Sequence, residues 1–103
     1  MTQYVLSVDA ELDLDSIWDY IAQDNLDGAD RWIARLFDTF EMLAQAPGLG
    51  HQREDLTSRP VLFWPAGAYM IVYRIGDECV EIVAVIHGSH DIPRFLSERA
   101  ADS

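Results

Sequence analysis

The sequence predicts an α+β fold in which a helical hairpin packs on a mostly antiparallel four-stranded sheet, in the order β-α-α-β-β-β. Three observations indicate this fold. Two amphipathic segments follow one another in the first half of the chain, three β-rich segments fill most of the second half, and one further β-rich segment precedes the helices. Short turns between consecutive β-rich segments are typical of antiparallel hairpins.

The first strand and the first helix are expected at residues 4–8 and at about 9–24. The first of these stretches has strand composition, and in the second Leu14, Ile17, Trp18 and Ile21 recur at helical spacing and give one apolar stripe. Acidic residues crowd the first turns, where negative charge suits a helix N-terminus.

The second helix is expected to begin near Asp27 and to run to about residue 45. Asp27 and Asp30 resemble a capping pair, and Ala46-Pro47-Gly48 cannot continue a helix. Since the break at 25–28 is short, the two helices should form an antiparallel hairpin.

Three strands are expected at residues 59–64, 68–75 and 78–87, with turns at 65–67 and 76–77. In the last strand, alternation predicts one face made of Val80, Ile82, Ala84 and Ile86, while Val83 and Val85 make the other face apolar as well. A strand that is apolar on both sides belongs in the centre of a sheet. Residues 92–100 should form a short helix with Pro93 in its first turn.

The sheet face that the hairpin leaves uncovered is expected to hold a partner or to form a dimer, because it is apolar in a chain of only 103 residues. The chain length fits a single domain, residues 1–103. No stretch has the length and apolar character of a membrane span or the pattern of a signal peptide, so we expect a cytoplasmic protein that does not bind a membrane.

Charge is the unusual feature of the composition. Eighteen acidic residues face seven arginines, lysine is absent, and the net charge is −11. Residues 1–50 hold ten of the acids and only two of the arginines. Such a chain repels a polyanion at long range, so direct nucleic-acid binding is not expected.

The stretch VIHGSHD, residues 85–91, brings together His87, His90 and Asp91 at the end of the last strand. A zinc site needs three or four ligands, and here the third would have to be Asp91 or the distant His51. We therefore expect neither a metal nor another cofactor. His87 is also a candidate general acid or base.

Cations that could bind phosphate beside His87 are Arg53, Arg59, Arg74 and Arg94. Arg74 ends a neighbouring strand, so it could lie near His87 on the sheet, or it could equally be a paired surface arginine.

Two aromatic residues, Trp64 and Tyr69, flank the turn at 65–67. Exposed aromatics at the tip of a hairpin are plausible binding anchors. The alternative is that they pack against each other across the hairpin.

Four stretches together resemble the ParE branch of the ParE/RelE toxin superfamily, whose members are often described as plasmid stabilisation proteins. They are AELDLDSIWDYIAQDN (10–25), QAPGLGHQREDL (45–56), GAYMIVYRI (67–75) and VEIVAVIHGSHD (80–91), in the same order and with similar gaps. The fold that the resemblance implies is the one predicted above.

The resemblance implies the toxin of a type II toxin–antitoxin module. Its partners would be a cognate, ParD-like antitoxin that docks by a helix and an extended segment, and a protein target, with DNA gyrase suspected. Homodimers or toxin–antitoxin hetero-oligomers are possible assemblies. The residues predicted to bind partners are Arg53, Arg59, Trp64, Tyr69, Arg74, His87, His90 and Arg94. Arg53, Arg59 and Arg74 would pair with antitoxin carboxylates.

Two alternatives stay open. One is a metal-independent, ribosome-dependent mRNA endonuclease of the RelE type that uses His87, Arg74, Arg59 and His90; the other is a toxin-like domain that has lost activity. Apolar Met70 stands where RelE-like members tend to carry a catalytic arginine, and their basic charge is missing here. The chain also departs from ParE-like members, because His90 stands where they commonly have arginine in an HGxRD pattern.

Overall fold

The computed structural model describes residues 3–99, and it contains three helices, a short 3₁₀ turn and four strands. The bounds in chain order are β1 Tyr4–Leu6, α1 Val8–Ala22, α2 Leu26–Gln45, the 3₁₀ turn Pro47–Leu49, β2 Leu62–Ala66, β3 Tyr69–Ile75, β4 Val80–His87 and α3 Ile92–Arg99.

The four strands form one mixed sheet in the order β1-β4-β3-β2. β1 pairs in parallel with β4, whereas β3 pairs antiparallel with both β4 and β2. The predicted α+β fold is confirmed, and so is the central place of the last strand. The predicted α3 is confirmed as well, with Pro93 in its first turn, although residue 100 lies outside the described residues.

The helical hairpin is tight because only three residues join its helices, and each helix has a side-chain N-cap. Ser7 Oγ accepts a hydrogen bond from the Ala10 N–H at 3.0 Å, and Asn25 Oδ1 accepts one from the Gly28 N–H at 2.9 Å. The expected capping pair of Asp27 and Asp30 is therefore wrong. The cap lies at Asn25, since its backbone is extended and the chain is already helical from Leu26 onward.

The main core lies between the hairpin and one face of the sheet. Its fully buried side chains include Leu36, Phe40 and Leu43 of α2 and Ile71 and Tyr73 of β3. The apolar stripes of both helices predict that the hairpin packs on the sheet in this way, with the stripes buried between them.

The other face of the sheet is also buried, which corrects the expectation of a surface left free for a partner. Phe63, Val72, Ala84 and Ile86 are at most 2% exposed. Ile92 and Leu96 of α3 belong to the same buried cluster, together with side chains from the 56–61 segment. The apolar stripe of α3 folds back over this face because it has no other surface on which to bury itself.

A β-bulge in β4 changes the faces predicted from simple alternation. Val72 pairs with Ala84 and Tyr73 pairs with Ile82, so Val83 is one extra residue without a partner on β3. Beyond the bulge, Val85 lies in the hairpin-side core and Ile86 in the core under α3. The predicted single face of Val80, Ile82, Ala84 and Ile86 is therefore split between the two sides.

The β2–β3 turn is shorter than predicted. β2 starts at Leu62 and continues through Pro65 and Ala66, so only Gly67 and Ala68 connect the strands. Pro65 is tolerated because β2 is an edge strand. Gly67 has φ +62°, and a Cβ there would lie 2.3 Å from the Trp32 ring, so the turn requires glycine.

Within residues 3–99, no helix has both the length and the apolar content needed to cross a bilayer.

Candidate functional site: a groove beside His87

A groove with a volume of about 480 Å³ opens between α1, the end of β4 and the start of α3. We call it the His87 groove. Its lining residues are Asp13, Ser16, Ile17, Tyr20, Tyr69, Val85, His87, Ser89, His90 and Phe95. The groove therefore collects both histidines of the VIHGSHD stretch beside aromatic and hydroxyl side chains.

The bulge at Val83 places His87 in this groove. Without an extra residue, His87 would be out of phase with Val80 and Ile82 and would lie on the α3 side of the sheet. With it, His87 follows Val85 onto the hairpin side, where it pairs with Tyr69 of β3. Bulges commonly re-aim a side chain in this way beside functional sites.

Local hydrogen bonds fix the orientation of the His87 ring. The backbone N–H of Ser89 donates to His87 Nδ1 at 3.1 Å, and Ser89 Oγ lies 2.7 Å from the same nitrogen. Because Nδ1 accepts the backbone hydrogen bond, the neutral ring carries its proton on Nε2. His87 therefore has Nε2–H as its remaining hydrogen-bond donor.

The Tyr69 ring packs directly against the His87 ring. The two rings meet edge to face with centroids 5.2 Å apart, and Tyr69 meets Trp32 of α2 in the same way at 5.5 Å. Tyr69 is only 8% exposed, and burial raises the pKa of its phenol above the usual 10.0, with a smaller contribution from Tyr20. The expectation that Tyr69 is an exposed anchor at the hairpin tip is wrong.

The outer wall of the groove belongs to α3 and the turn before it. His90 stacks on Phe95 with ring centroids 6.4 Å apart, and the Arg99 guanidinium lies 4.2 Å from the centre of the Phe95 ring. Arg99 also forms a two-pronged ion pair with Asp13 of α1, whose carboxylate accepts the Val85 N–H at 3.0 Å. One carboxylate thus joins α1, β4 and α3 behind the groove.

Arg74 does not join His87, although adjacent strands carry both. Arg74 pairs in register with Glu81 and forms an ion pair with it, whereas His87 pairs with Tyr69. Arg74 and Tyr69, which mark the two register positions, are five positions apart on β3, which is about 17 Å along a strand. Arg74 instead lines a separate cleft of about 310 Å³ with Arg59, Arg99, Glu81 and Asp9. A combined site of Arg74, Arg59 and His87 is therefore wrong.

Local ion pairs occupy two more of the predicted arginines. Arg53 binds both carboxylate oxygens of Asp55 at 2.9 and 2.8 Å, and Arg94 contacts Glu98 one turn along α3 at 3.4 Å. The Asp55 carboxylate holds the pKa of Arg53 above its usual value. Both pairs are exposed.

Trp64 and His51 lie away from the groove, on β2 and its outer edge. Trp64 is half-buried and pairs with Ile71, so it lies diagonally from Tyr69 on the same face of the β2–β3 hairpin and packs against the cluster that contains Tyr69. His51 bridges Phe63 through two backbone hydrogen bonds. In the chain from 3 to 99, no three His, Cys, Asp or Glu side chains converge as metal ligands.

Sequence reasoning missed the contributions of α1 and α3 to the groove. Ser16 and Tyr20 lie one turn apart on α1, and Tyr20 is 71% exposed despite its size. The sequence does contain a signal for Tyr20. This aromatic residue directly precedes Ile21 but lies outside the apolar stripe of α1, so its side chain is not expected in the core. Phe95 could be assigned to the groove only once the structure showed that α3 folds back over the sheet.

The family described as "ParE toxin of type II toxin-antitoxin system, parDE" matches residues 4–92 of the sequence. The chain belongs to the ParE toxin family. The resemblance noted from its motifs is thereby confirmed.

Two relatives of this ParE-family chain agree with that assignment. Toxin ParE1 of Caulobacter vibrioides (strain ATCC 19089 / CIP 103742 / CB 15) is 37% identical over 90 residues, covering 86% of this chain and 92% of the relative. Putative toxin Y4kP of Sinorhizobium fredii (strain NBRC 101917 / NGR234) is 34% identical over 83 residues, covering 81% of this chain and 84% of the relative.

A solved structure described as "Chromosomal ParDE TA system from P. aeruginosa" has the same fold. It superposes with a TM-score of 0.71 and covers 84% of this chain and 96% of the other at 17% sequence identity. The fold of the ParE-family chain is therefore shared with a solved structure despite low identity.

Proposed function

We propose that this ParE-family chain is the toxin of a type II toxin–antitoxin pair, that it acts in the cytoplasm by binding DNA gyrase through the His87 groove, and that a cognate antitoxin neutralises it. Family membership and the ParDE structure with the same fold support the antitoxin partner. The choice of a protein target rests on the chemistry of the groove.

The observation that carries the proposal is the aromatic lining of the His87 groove. Tyr20 is exposed, His90 is exposed and stacked on Phe95, and Tyr69 and Ile17 form an apolar base. Aromatic side chains with a polar atom are enriched among the residues that carry most of the free energy of protein–protein binding.

The electrostatics of the groove favour a protein over RNA. Among residues 3–99, none of the arginines lines the groove, and the nearby guanidinium of Arg99 is bound by Asp13. Met70, at the position of the RelE-type arginine, packs against the core under α3. Cleavage of RNA without metal needs cations at the phosphate, and a net charge of −11 opposes the approach of RNA.

The experiment expresses the chain alone and together with the product of the reading frame adjacent to its own. We expect growth arrest with the chain alone and relief by the neighbouring product. In vitro, the purified chain should inhibit supercoiling by gyrase without cutting RNA. Cleavage of ribosome-bound message that His87→Ala abolishes would contradict the proposal, and so would an absence of any effect on growth.

Groove variants test the site. Tyr20→Ala and His90→Ala should each raise the concentration needed for half-inhibition of supercoiling by about tenfold, as expected for the loss of about 1.4 kcal/mol of binding free energy. Leu26→Ala is the control, because Leu26 is exposed at the start of α2 and does not line the groove. Equal inhibition by the Tyr20, His90 and Leu26 variants would show that the target binds elsewhere.

A further inference from the structure

The Nε2–H of His87 has no acceptor among residues 3–99. The ring uses its other nitrogen, Nδ1, for its contacts with Ser89, and Nε2 makes no hydrogen bond in the part of the chain that the structure describes. Every buried side-chain nitrogen or oxygen of that part has a partner. Because His87 is only half-buried, its unpaired Nε2 is therefore open to solvent.

A segment that enters the His87 groove meets this donor. His87 belongs to the lining of the groove, and the two sides of its ring that face the protein are already covered. Tyr69 packs edge to face against the ring, and the turn at Ser89 covers the edge that carries Nδ1. The free edge of the ring is the one with Nε2.

The walls around the donor are mainly apolar. Ile17, Tyr69 and Val85 form the base of the groove and are at most 8% exposed, and Phe95 stands in its outer wall. A partner that fills the groove removes the water that serves Nε2–H in the free chain. A donor that is closed off without an acceptor lowers affinity by about fivefold to 150-fold, the equivalent of about 1–3 kcal/mol.

The groove does not supply an acceptor of its own. The Asp13 carboxylate is occupied by its ion pair with Arg99, and Ser89 Oγ lies against Nδ1. The hydroxyls of Ser16 and Tyr20 line the groove, but within residues 3–99 neither makes a hydrogen bond with the imidazole. The acceptor has to come from the bound partner.

The acceptor that fits the groove is uncharged. Among the described residues, the lining contains Asp13 and no arginine, and the whole chain has a net charge of −11. Both disfavour a carboxylate or a phosphate at this place. A carbonyl oxygen accepts a hydrogen bond from an imidazole N–H without bringing a charge.

We propose that the gyrase segment bound in the His87 groove presents an uncharged carbonyl oxygen to His87 Nε2–H, beside an apolar side chain that packs on Ile17 and Tyr69. This inference rests on the function proposed above. His87 is then the residue that sets specificity, because an equally apolar segment without the carbonyl leaves the donor buried and unpaired.

Two amide variants test the two ring nitrogens separately. In His87→Gln the amide nitrogen takes the approximate place of Nε2–H, and in His87→Asn the amide oxygen takes that of Nδ1. The readout is the concentration of the chain that half-inhibits supercoiling by purified gyrase. It should stay within about threefold of the parent for His87→Gln and rise by about tenfold or more for His87→Asn.

A purely structural role of His87 predicts the reverse order. Only asparagine keeps an acceptor for the Ser89 N–H, so His87→Asn would then inhibit better than His87→Gln, and the proposal would be overturned. His87→Phe covers the case that His87→Asn fails to fold. It keeps the aromatic contact with Tyr69 but has neither nitrogen, and it should also weaken inhibition by about tenfold or more.

The matched controls are His51→Gln and His51→Asn. His51 is exposed at the edge of β2 and does not line the groove, so both variants should inhibit within about twofold of the parent. Melting temperatures of all variants are measured by circular dichroism. Two-bond ¹H–¹⁵N NMR spectra of the free chain should show the proton of the neutral His87 ring on Nε2; a proton on Nδ1 would contradict the inference.

The outcomes separate the two proposals. If the parent chain does not inhibit gyrase, the proposed function fails and this inference fails with it. If the parent inhibits and the folded His87→Asn and His87→Phe variants inhibit equally well, only the inference fails.

Discussion

The phenol of Tyr73 joins the sheet to the turn after α2. Its side chain is fully buried on β3, where its hydroxyl donates to the Pro47 carbonyl at 2.7 Å and accepts from the Gly50 N–H at 2.8 Å. A Cβ at position 50 would lie 2.4 Å from the hydroxyl oxygen, so only glycine leaves room for it. One hydroxyl thus satisfies two backbone groups of the turn that follows α2.

We expect Tyr73→Phe to lower the free energy of unfolding by about 1–2 kcal/mol, because it leaves the Pro47 carbonyl and the Gly50 N–H without their partner. Urea denaturation followed by circular dichroism measures the change. The control is Tyr20→Phe, which removes an exposed hydroxyl that makes no hydrogen bond within the described residues and should change stability by less than about 0.5 kcal/mol. A neutral Tyr73→Phe would mean that water replaces both contacts.

The same residue predicts how stability depends on alkaline pH. Burial raises the pKa of Tyr73 above 10.0, and the hydrogen bond with Gly50 partly opposes that shift. The unfolded chain therefore loses the phenolic proton first, so stability is fully present below pH 10 and falls as the pH rises from there toward the folded-state pKa. Tyr73→Phe should show a shallower loss of stability above pH 10 than the parent chain; equal slopes would contradict the assignment.

At the scale of elements, one ion pair connects α3 to α1. Asp13 and Arg99 retain only 10% and 20% of their side-chain exposure, and the Asp13 carboxylate also accepts the Val85 N–H. β1 ends opposite Ile82, so Ser7 and Asp13 supply the hydrogen bonds to β4 beyond it, at Val83 and Val85. α3 is therefore attached, through a side chain of α1, to the part of β4 that extends beyond β1.

We expect Asp13→Ala to cost about 3 kcal/mol and Arg99→Ala about 2 kcal/mol, because only the first also leaves the Val85 N–H without an acceptor. Both should increase amide hydrogen exchange in α3 more than in β3. Arg94→Ala is the matched control on the same helix, since its exposed pair with Glu98 contributes at most about 0.5 kcal/mol. If Arg99→Ala costs no more than Arg94→Ala, the ion pair does not hold α3.

Elements with strong periodicity were predictable from the sequence, and contacts between elements were not. The stripe of Leu14, Ile17 and Ile21 and the break at Pro47 placed both long helices to within about two residues. The bulge at Val83 escaped prediction because every residue near it is apolar, so alternation carries no information there. The bulge places His87 on the hairpin side of the sheet instead of the α3 side, and most of the candidate site depends on that position.

The burial of the second sheet face was likewise not predictable, because it depends on a contact between elements. Ile92 and Leu96 predicted a short amphipathic helix, but only the packing of α3 shows where that helix buries its stripe. The contacts also determine which carboxylate each predicted arginine binds. Arg53, Arg74 and Arg94 each pair with a carboxylate in the same segment or on the neighbouring strand. Partner choices of this kind depend on register, which composition does not reveal.

At the scale of the whole molecule, charge divides the chain into two unlike halves. The first fifty residues hold ten acids against two arginines, and most of them lie on α1 and α2. Neither helix has a basic residue in its last turn, where it would complement the helix dipole. The folded hairpin therefore concentrates repulsion that the unfolded chain relieves.

This repulsion predicts that salt stabilises the fold. Raising NaCl from 0.05 to 0.5 M shortens the screening length to a few ångströms and should raise the melting temperature by about 4–8 °C, corresponding to about 1 kcal/mol for a domain of this size. A neutralised variant separates charge screening from other effects of salt. It carries Asp19→Asn, Asp24→Asn, Asp38→Asn and Glu41→Gln, all at exposed positions.

Because these four side chains make no hydrogen bond or ion pair within residues 3–99, the neutralised variant loses repulsion without losing contacts. It should melt above the parent chain at 0.05 M NaCl, and the difference should shrink as salt is added. Thermal melts followed by circular dichroism at both concentrations measure this. If both proteins gain equally from salt, the effect acts on apolar surface instead, and the acidic helices are not a source of instability.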